Sequence, residues 1–394
     1  MTPLAIPAYT ATSALGRGLT AMRAALEAGR SGLAPCNFED VERGYIGRVA
    51  GLEDERLPER FAGYDCRNNR LAWAGLSQDD FVPAVIAARE RYGPGRVAVV
   101  LGTSTSGILS TEHAYRRRNS DGGALPADFD FVRTHDLMSV SQFVRESLGL
   151  LGPAITISTA CSSSAQSFGR AARLIAAGVV DAAIVGGVDS LCQTTLRGFA
   201  SLELISPDRC RPCDAERDGI SIGEAAGFAI LEKPRARWTG LSLLGFGASA
   251  DAHHMSAPHP GGEGARLAMA AALADAGLHP GQIDYVNLHG TGSRTNDTAE
   301  DAALVAVFGP DKPCSSTKGW TGHALGAAGI LEMAIAAQAL AHGFLPGCLG
   351  VTRVDPALRS SVLTENVRRP IRAVLSNSLG FGGNNCSLIL GTTT

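Results

Sequence analysis

One cysteine lies where a thiol could act as a nucleophile. In residues 156–165, TISTACSSSA, an apolar strand ends, a turn of small residues follows, and a helix predicted over residues 161–177 begins at Cys161. The positive end of a helix dipole stabilises an anion, so this position predicts a thiolate with a lowered pKa. The alternative is a structural cysteine among serines, because free cysteines are often simply buried.

Two histidines follow or open predicted elements and could move protons. His289 follows a strand over residues 285–288 in the run NLHGTGS, and His323 opens an apolar helix over residues 323–342. Imidazole changes its protonation near neutral pH more readily than any other side chain. Each histidine could instead be a hydrogen-bonded turn residue, and His323 could be a helix cap.

A lysine and a glycine-rich run complete the candidate chemistry. Lys318 lies in the otherwise uncharged run SSTKGWTGHALG, and a buried ammonium needs a partner, for which Glu332 is the best candidate. Lys318 could also simply reach solvent. In residues 376–385, SNSLGFGGNN, the glycines permit positive φ and let backbone N–H groups face a ligand. This run is not a Rossmann fingerprint, because neither the G-x-G-x-x-G spacing nor a following helix is present.

Buried strand patterns alternate with helical patterns along the chain, which predicts an α/β fold. Before a hinge at Lys233 and Pro234, we predict strands at 96–101, 154–157, 182–185 and 227–231, with helices at 139–149 and 161–177. After it, we predict strands at 241–248, 285–288, 314–316, 374–376 and 386–390, with helices at 262–276, 297–308 and 323–342. The strand at 182–185 is expected to end at the pair Gly186 and Gly187. The similar order predicts two related halves, residues 1–234 and 235–394.

Composition excludes several classes of protein. Of 394 residues, 19% are charged and 45% hydrophobic, which excludes a disordered chain, a coiled coil and a collagen-like fibre. The net charge of −3 argues against a nucleic-acid partner. The most apolar stretch, residues 324–341, carries Glu332 and Gln338, so we expect a core helix and no membrane span. We expect no secretory signal, and nine scattered cysteines predict reduced thiols in the cytoplasm.

Together, the motifs ACSSS, HGTGS, STKGWTGH and NSLGFGGNN, in this order, resemble the β-ketoacyl-acyl carrier protein synthases. These are the condensing enzymes of fatty-acid and polyketide synthesis, in their elongating type I and II branch. The likeness extends over nearly the whole chain, including RPCDAERDG at 211–219 and DAHHMSAP at 251–258. It implies a thiolase fold, a duplicated α/β half stacked in five layers, α-β-α-β-α. The runs ACSSS and GTSTSG are more similar to polyketide-type members, including those of aryl-polyene pathways.

The resemblance implies a decarboxylative Claisen condensation. Cys161 would accept an acyl group from a carrier-protein thioester, and His289 and His323 would stabilise the enolate formed when malonyl-carrier loses CO₂. Both imidazoles must then be neutral Nε2–H donors, each with its other nitrogen satisfied. The backbone N–H groups of Cys161 and Phe381 correspond to the oxyanion hole, and Phe381 with Gly382 to the gate.

The remaining roles also follow from the resemblance. Lys318 pairs with Glu332 in an electrostatic and structural role, and Thr291 and Ser293 lie where members bind the pantetheine arm. No metal and no organic cofactor is required, since the carrier brings its own phosphopantetheine. Leu379 and Asn384 replace a frequent Phe and Thr beside the gate, and the acyl preference is the property that such changes would alter.

The implied partners are an acyl carrier protein and a second subunit. Carrier proteins are acidic, and Arg67 and Arg70 in the run DCRNNR lie in the region that members use for docking, although a plain surface pair is the alternative. The second subunit would complete a homodimer, or a heterodimer with a paralogous synthase-like chain.

Three rival functions deserve comparison. A chain-length-factor-like, non-catalytic partner usually lacks the active cysteine, which this chain retains. A thiolase would use a second cysteine near the C-terminus, where Cys386 lies, but thiolases lack the motif containing Lys318 and His323. A cysteine hydrolase would leave the second histidine and the glycines of the gate unexplained.

Overall fold

The computed structural model describes residues 1–118 and 123–392. Ten of its strands form the two repeats: β1 Tyr9–Ser13, β2 Val97–Gly102, β3 Ala154–Ile157, β4 Ala182–Asp189, β5 Ala225–Glu232, β6 Leu241–Ala250, β7 Tyr285–Asn287, β8 Pro313–Ser315, β9 Ala373–Gly380 and β10 Asn384–Thr392. The helices are α1 Gly18–Glu27, α2 Arg67–Leu76, α3 Phe81–Tyr92, α4 Ile108–Arg116, α5 Phe131–Thr134, α6 Met138–Ser147, α7 Ser163–Ala176, α8 Gln193–Ser201, α9 Glu263–Ala276, α10 Arg294–Phe308, α11 Lys318–Thr321 and α12 Ala328–His342.

The strand order demonstrates the duplication. The first half has the order β3-β2-β4-β5-β1 and the second half the order β8-β7-β9-β10-β6. In each half the first three strands in this order run parallel to one another, and the fourth runs antiparallel to both of its neighbours. Numbered along the chain, both orders read third, second, fourth, fifth, first, so the duplicated α/β fold predicted from the sequence is confirmed. The predicted boundary between residues 234 and 235 lies in the connection between β5 and β6 and stays a prediction.

Two small-residue helices form the central layer between the sheets. Helices α7 and α12 follow the equivalent strands β3 and β8, and each contacts strands of both halves. A Cβ added to Gly329 of α12 would lie 2.8 Å from the Cβ of Ala165 on α7, so glycine allows the two helices to pack closely. Helices α2, α3 and α6 cover the first sheet and α9 and α10 the second, which gives five layers.

The most apolar segment is part of this central layer. The window Leu325–His342 has a mean hydropathy of 1.3, and 89% of it is buried inside the molecule. Its surroundings are the two sheets and α7, so the prediction of a core helix is confirmed.

The structure moves several predicted boundaries, and two of the shifts have a clear physical cause. Strand β4 does not end at Gly186 but continues to Asp189, because the two glycines let neighbouring backbone approach: a Cβ on Gly186 would lie 2.1 Å from the carbonyl oxygen of Gly227. The last long helix begins at Ala328 rather than at residue 323. Leu325 adopts a left-handed φ of 50°, so the residues before α12 form turns that the apolar pattern did not indicate.

Candidate active site

The turn that carries Cys161 joins β3 to α7. Ala160 has a φ of 51°, and α7 begins at Ser163, so Cys161 precedes the helix by two residues instead of opening it as predicted. The Ser163 hydroxyl donates to the carbonyl oxygen of Ala160 at 2.5 Å and accepts from the N–H of Thr159 at 2.9 Å. Ser163 therefore stabilises the turn that positions the sulfur of Cys161.

The ionisation of this thiol differs from the prediction. Burial raises the pKa of Cys161 to about 11, although the Lys318 ammonium and the backbone N–H groups of Phe381 and Cys161 act in the opposite direction. The predicted lowered pKa is wrong, because the sequence indicates a nearby helix start but not the depth of burial. Near neutral pH the side chain is a thiol, and a base must remove its proton before the sulfur can attack.

Two neutral imidazoles lie beside the sulfur. Nε2 of His323 is 3.0 Å from Sγ of Cys161, and the ring centroids of His323 and His289 are 5.2 Å apart at an interplanar angle of 81°. Burial and the positive charge of Lys318 hold the pKa of both histidines well below the usual range. His323 is thus placed to accept the thiol proton, and neither ring carries a charge near neutral pH.

The ammonium of Lys318 is buried next to His289. It donates to Glu332 Oε1 and to the carbonyl oxygen of His289, and it lies 3.4 Å from Nδ1 of His289. Glu332 is the partner expected from the sequence, and the structure brings the two together. Burial raises the pKa of Glu332 to about 7, while the ammonium acts in the opposite direction.

This contact determines the tautomer of one histidine. An ammonium only donates, so Nδ1 of His289 accepts and the ring proton lies on Nε2. Nδ1 of His323 has no hydrogen-bond partner among the described residues, so its Nε2 can either accept or donate a proton. The expectation of a satisfied second nitrogen therefore holds for His289 and fails for His323.

The same three side chains have a spacing that a soft metal could bridge. The ligand atoms of Cys161, His289 and His323 lie within 4.8 Å of one another. A metal would need the lone pair of His289 Nε2, whereas the Lys318 ammonium favours the tautomer that keeps the proton there. The arrangement is therefore better suited to hydrogen-bond donation than to metal binding.

A cavity open to the surface leads to these groups, and the glycine-rich run closes one side of it. The ring of Phe381 packs on that of Phe199, with centroids 5.6 Å apart. Gly382 has a φ of 78°, and its N–H donates to the carbonyl oxygen of Met255 at 2.8 Å. A Cβ on Gly380 would lie 2.8 Å from the carbonyl oxygen of Thr159, so glycine lets this loop approach the nucleophile turn.

The predicted pantetheine residues also face this cavity. Thr291 and Ser293 are among its lining residues, and their hydroxyl oxygens are 3.0 Å apart. Ser293 also caps α10 by accepting from the N–H of Asn296. The hydroxyls therefore lie along the route from the surface to the sulfur.

Sequence reasoning missed several residues that hold the site. Both carboxylate oxygens of Glu300 accept backbone N–H groups, one from His289 and one from Gly290, each at 2.8 Å. The sequence did contain a pattern that could have identified Glu300, since Asp297, Glu300 and Asp301 lie on one face of an alanine-rich helix. Phe199 and Met255 were also missed, because nothing in their local sequence indicates contact with the loop at Phe381.

Arg67, one of the two predicted carrier-docking residues, is mostly buried and already paired, which disfavours a docking role. Its side chain is only 9% exposed, and its guanidinium makes a bidentate ion pair with the fully buried Glu224, at 2.6 and 2.8 Å. It also pairs with Glu53. Arg70 is a quarter exposed and pairs with Asp65. The sequence could not indicate this, since Glu224 is 157 residues from Arg67.

The chain is similar to known proteins over most of its length. Residues 69–236 match the N-terminal domain of β-ketoacyl synthases, and residues 242–352 match the C-terminal domain. Nodulation protein E of Rhizobium meliloti (strain 1021) is 34% identical over 95% of each chain. The 3-oxoacyl-[acyl-carrier-protein] synthase 2 of Coxiella burnetii is 32% identical over 96% of this chain and 95% of that protein.

A solved structure is similar over the whole chain. The ketosynthase ApeO in complex with its chain length factor ApeC, from Xenorhabdus doucetiae, matches with a TM-score of 0.91 and 38% identity, covering 100% of this chain and 98% of that one. Fold and site together define a condensing acyltransferase with the thiolase-like α/β architecture. The chain belongs to the β-ketoacyl synthase family.

We expect Lys318→Met to lower the free energy of unfolding by about 3–5 kcal/mol, because it leaves the buried Glu332 without its partner. The double variant Lys318→Met/Glu332→Gln should recover most of that loss. Neither variant should retain condensing activity, because Nδ1 of His289 has lost its donor. Urea unfolding and product formation measure the two effects, and an active double variant would contradict the role of Lys318.

Proposed function

We propose that this chain is the catalytic subunit of a 3-oxoacyl-acyl carrier protein synthase, which extends an acyl chain by two carbons. The observation that supports this most strongly is the contact of 3.0 Å between Cys161 Sγ and His323 Nε2, with a second neutral histidine beside it. A non-catalytic subunit would have no use for a buried thiol aligned with a base.

The first step is transfer of the acyl group to the enzyme. Nε2 of His323 takes the thiol proton of Cys161, and the sulfur attacks the carbonyl carbon of the acyl-carrier thioester. The backbone N–H groups of Cys161 and Phe381 stabilise the resulting oxyanion. The carbon–sulfur bond to the carrier then breaks, and the carrier thiol leaves with the proton held by His323.

The second step forms the carbon–carbon bond. Malonyl-carrier loses CO₂, and the electron pair of the broken bond moves onto the thioester as an enolate, whose oxygen accepts from His289 and His323. The enolate carbon attacks the acyl carbonyl, the bond to Cys161 breaks, and the released thiolate takes a proton from solvent water. His323 must accept a proton in one step and donate a hydrogen bond in the other. Its Nδ1 has no hydrogen-bond partner within residues 1–118 and 123–392, which permits both tautomers.

The acyl-enzyme is the intermediate to detect. Mixing the protein with saturated and polyene acyl-carriers should give an acyl adduct on Cys161 in intact mass, and adding malonyl-carrier should give a product longer by two carbons. Cys161→Ala should take no acyl group. Cys161→Gln, which imitates an acylated cysteine, should still decarboxylate malonyl-carrier.

The donor that reacts fastest would also indicate the pathway, because polyene and saturated chains belong to different syntheses. Absence of an adduct with every donor would favour the alternative function, a chain-length-factor-like partner. Condensation by Cys161→Ala would contradict the role of the nucleophile.

We further propose that the acidic carrier docks at Arg294. This arginine lies between Ser293 and Thr295, which both line the cavity, and it forms no ion pair in the part of the chain that the structure describes. Its guanidinium donates to the carbonyl oxygen of Ala215 at 3.3 Å and stays exposed where the pantetheine arm would enter. Charge complementarity of this kind mainly accelerates association.

Arg294→Gln should raise the KM for acyl-carrier about tenfold, whereas Arg70→Gln, at the site predicted from the sequence, should leave it unchanged. Assays with an acyl pantetheine thioester, which has no protein surface, separate docking from chemistry. A larger effect of the Arg70 variant would place the carrier on the other surface.

The second partner that we propose is a paralogous synthase-like subunit, by likeness to the ketosynthase and chain length factor complex. Strand β3 forms one edge of the sheet, and an open edge needs a cover. Phe131 and Val132 on α5 are 51% and 62% exposed, and α5 packs on α6, which lies against β3. This edge and helix α5 therefore form the proposed subunit contact. We also propose a cytoplasmic location, which the nine scattered, unpaired cysteines support.

Val132→Glu should dissociate the purified homodimer or heterodimer into monomers, because the substitution buries a charge in that contact. Leu267→Glu is the matched control, since Leu267 is an equally apolar, 42% exposed residue on α9. Sedimentation velocity measures the outcome. A dimer that persists in Val132→Glu would contradict the proposed surface.

A further inference from the structure

A buried carboxylate that the chemistry does not use lies between the turns carrying Cys161 and His323. Asp189 is the last residue of β4, and its side chain is fully buried. Among residues 1–118 and 123–392, no lysine, arginine or histidine forms an ion pair with it. A buried charge without a counter-ion is costly unless hydrogen bonds satisfy it.

The first set of hydrogen bonds comes from residues 103–105. Oδ1 of Asp189 accepts from the hydroxyl of Thr103 at 2.7 Å and from the N–H groups of Ser104 and Thr105, both at 2.8 Å. The Thr105 hydroxyl adds a further contact at 2.8 Å. All of these groups can donate, so the contacts fit the ionised carboxylate.

The turn that Asp189 holds lies against the nucleophile turn. The N–H of Thr103 donates to the carbonyl oxygen of Ile157 at 3.1 Å, at the end of β3. The Ser104 hydroxyl donates to the carbonyl oxygen of Ala160 at 3.2 Å. Ala160 is the left-handed residue immediately before Cys161, so a shift of residues 103–106 would move the sulfur.

The other carboxylate oxygen holds the segment that follows His323. Oδ2 of Asp189 accepts from the N–H of Gly326 at 2.5 Å. A Cβ on Gly326 would lie 2.7 Å from this oxygen and 2.7 Å from Ser104 Oγ, so the close contact requires glycine. On its other side, His323 is held by backbone bonds to Ser221 and Gly223.

We propose that Asp189 is a positioning residue that fixes the distance between Cys161 Sγ and His323 Nε2. One carboxylate ties together the two turns from which these atoms project. The inference rests on the proposed function, since proton transfer between the two atoms is its first step. Asparagine cannot replace Asp189, because its NH₂ group would face N–H donors.

Quenched single-turnover acylation, followed by intact mass, tests this role. Its rate constant does not depend on the fraction of correctly folded protein, whereas the final adduct stoichiometry measures that fraction. Asp189→Asn should load Cys161 about 10–100-fold more slowly but to full stoichiometry, because a small misplacement costs rate. Asp189→Glu, which keeps an anionic acceptor, should lie closer to wild type. Asp181→Asn, at a half-exposed aspartate just before β4 that pairs with Arg96, is the matched control and should react at the wild-type rate.

A rate constant unchanged in Asp189→Asn, or a loss confined to stoichiometry, would overturn the inference. Gly326→Ala tests it without removing the charge, since the added methyl group forces the carboxylate off the turn. It should also slow acylation, and a wild-type rate constant there would again overturn the proposal. If the wild-type protein takes no acyl group at all, the proposed function fails and the inference fails with it. This outcome differs from an active wild-type enzyme whose variants react at the wild-type rate, which contradicts the inference alone.

Discussion

Burial of the Lys318 ammonium beside His289 is the constraint on which the rest of the site depends. A buried ammonium requires a carboxylate in contact, and the partner, Glu332, comes from the centre of the apolar helix α12. Burial and this charge together lower the pKa of both histidines, and the contact with Lys318 sets the tautomer of His289. The site therefore holds two neutral imidazoles, and the ion pair in the core fixes one of them, His289, as a hydrogen-bond donor through Nε2.

The duplicated fold explains how groups far apart in sequence meet. Cys161 follows β3 of the first half, while His289, Lys318 and Phe381 follow β7, β8 and β9 of the second. Each group lies beyond the carboxyl end of a parallel strand, where α/β folds place their sites. The two central helices pack closely enough, through glycine and alanine, to bring these ends together.

The sequence was sufficient for the parts of the site that local motifs carry. Residue types and spacings indicated Cys161, the two histidines and Lys318 with Glu332 as candidates with structural alternatives, and the resemblance to condensing enzymes selected among these. The alternation of elements predicted the two halves. The sequence could not predict properties that depend on the three-dimensional surroundings of a residue. The pKa of Cys161 depends on burial, the pairing of Arg67 on a distant glutamate, and the start of α12 on one left-handed residue.

The central claim is that Lys318 holds His289 as a neutral ring with its proton on Nε2. Nitrogen-15 NMR of the histidine rings between pH 5.5 and 8.5 measures this directly, with His289→Gln used to assign the signal. The account predicts an unprotonated Nδ1 and a protonated Nε2 for His289 throughout this range, and loss of that fixed pattern in Lys318→Met. A ring that becomes doubly protonated above pH 5.5, or a proton on Nδ1, would contradict it.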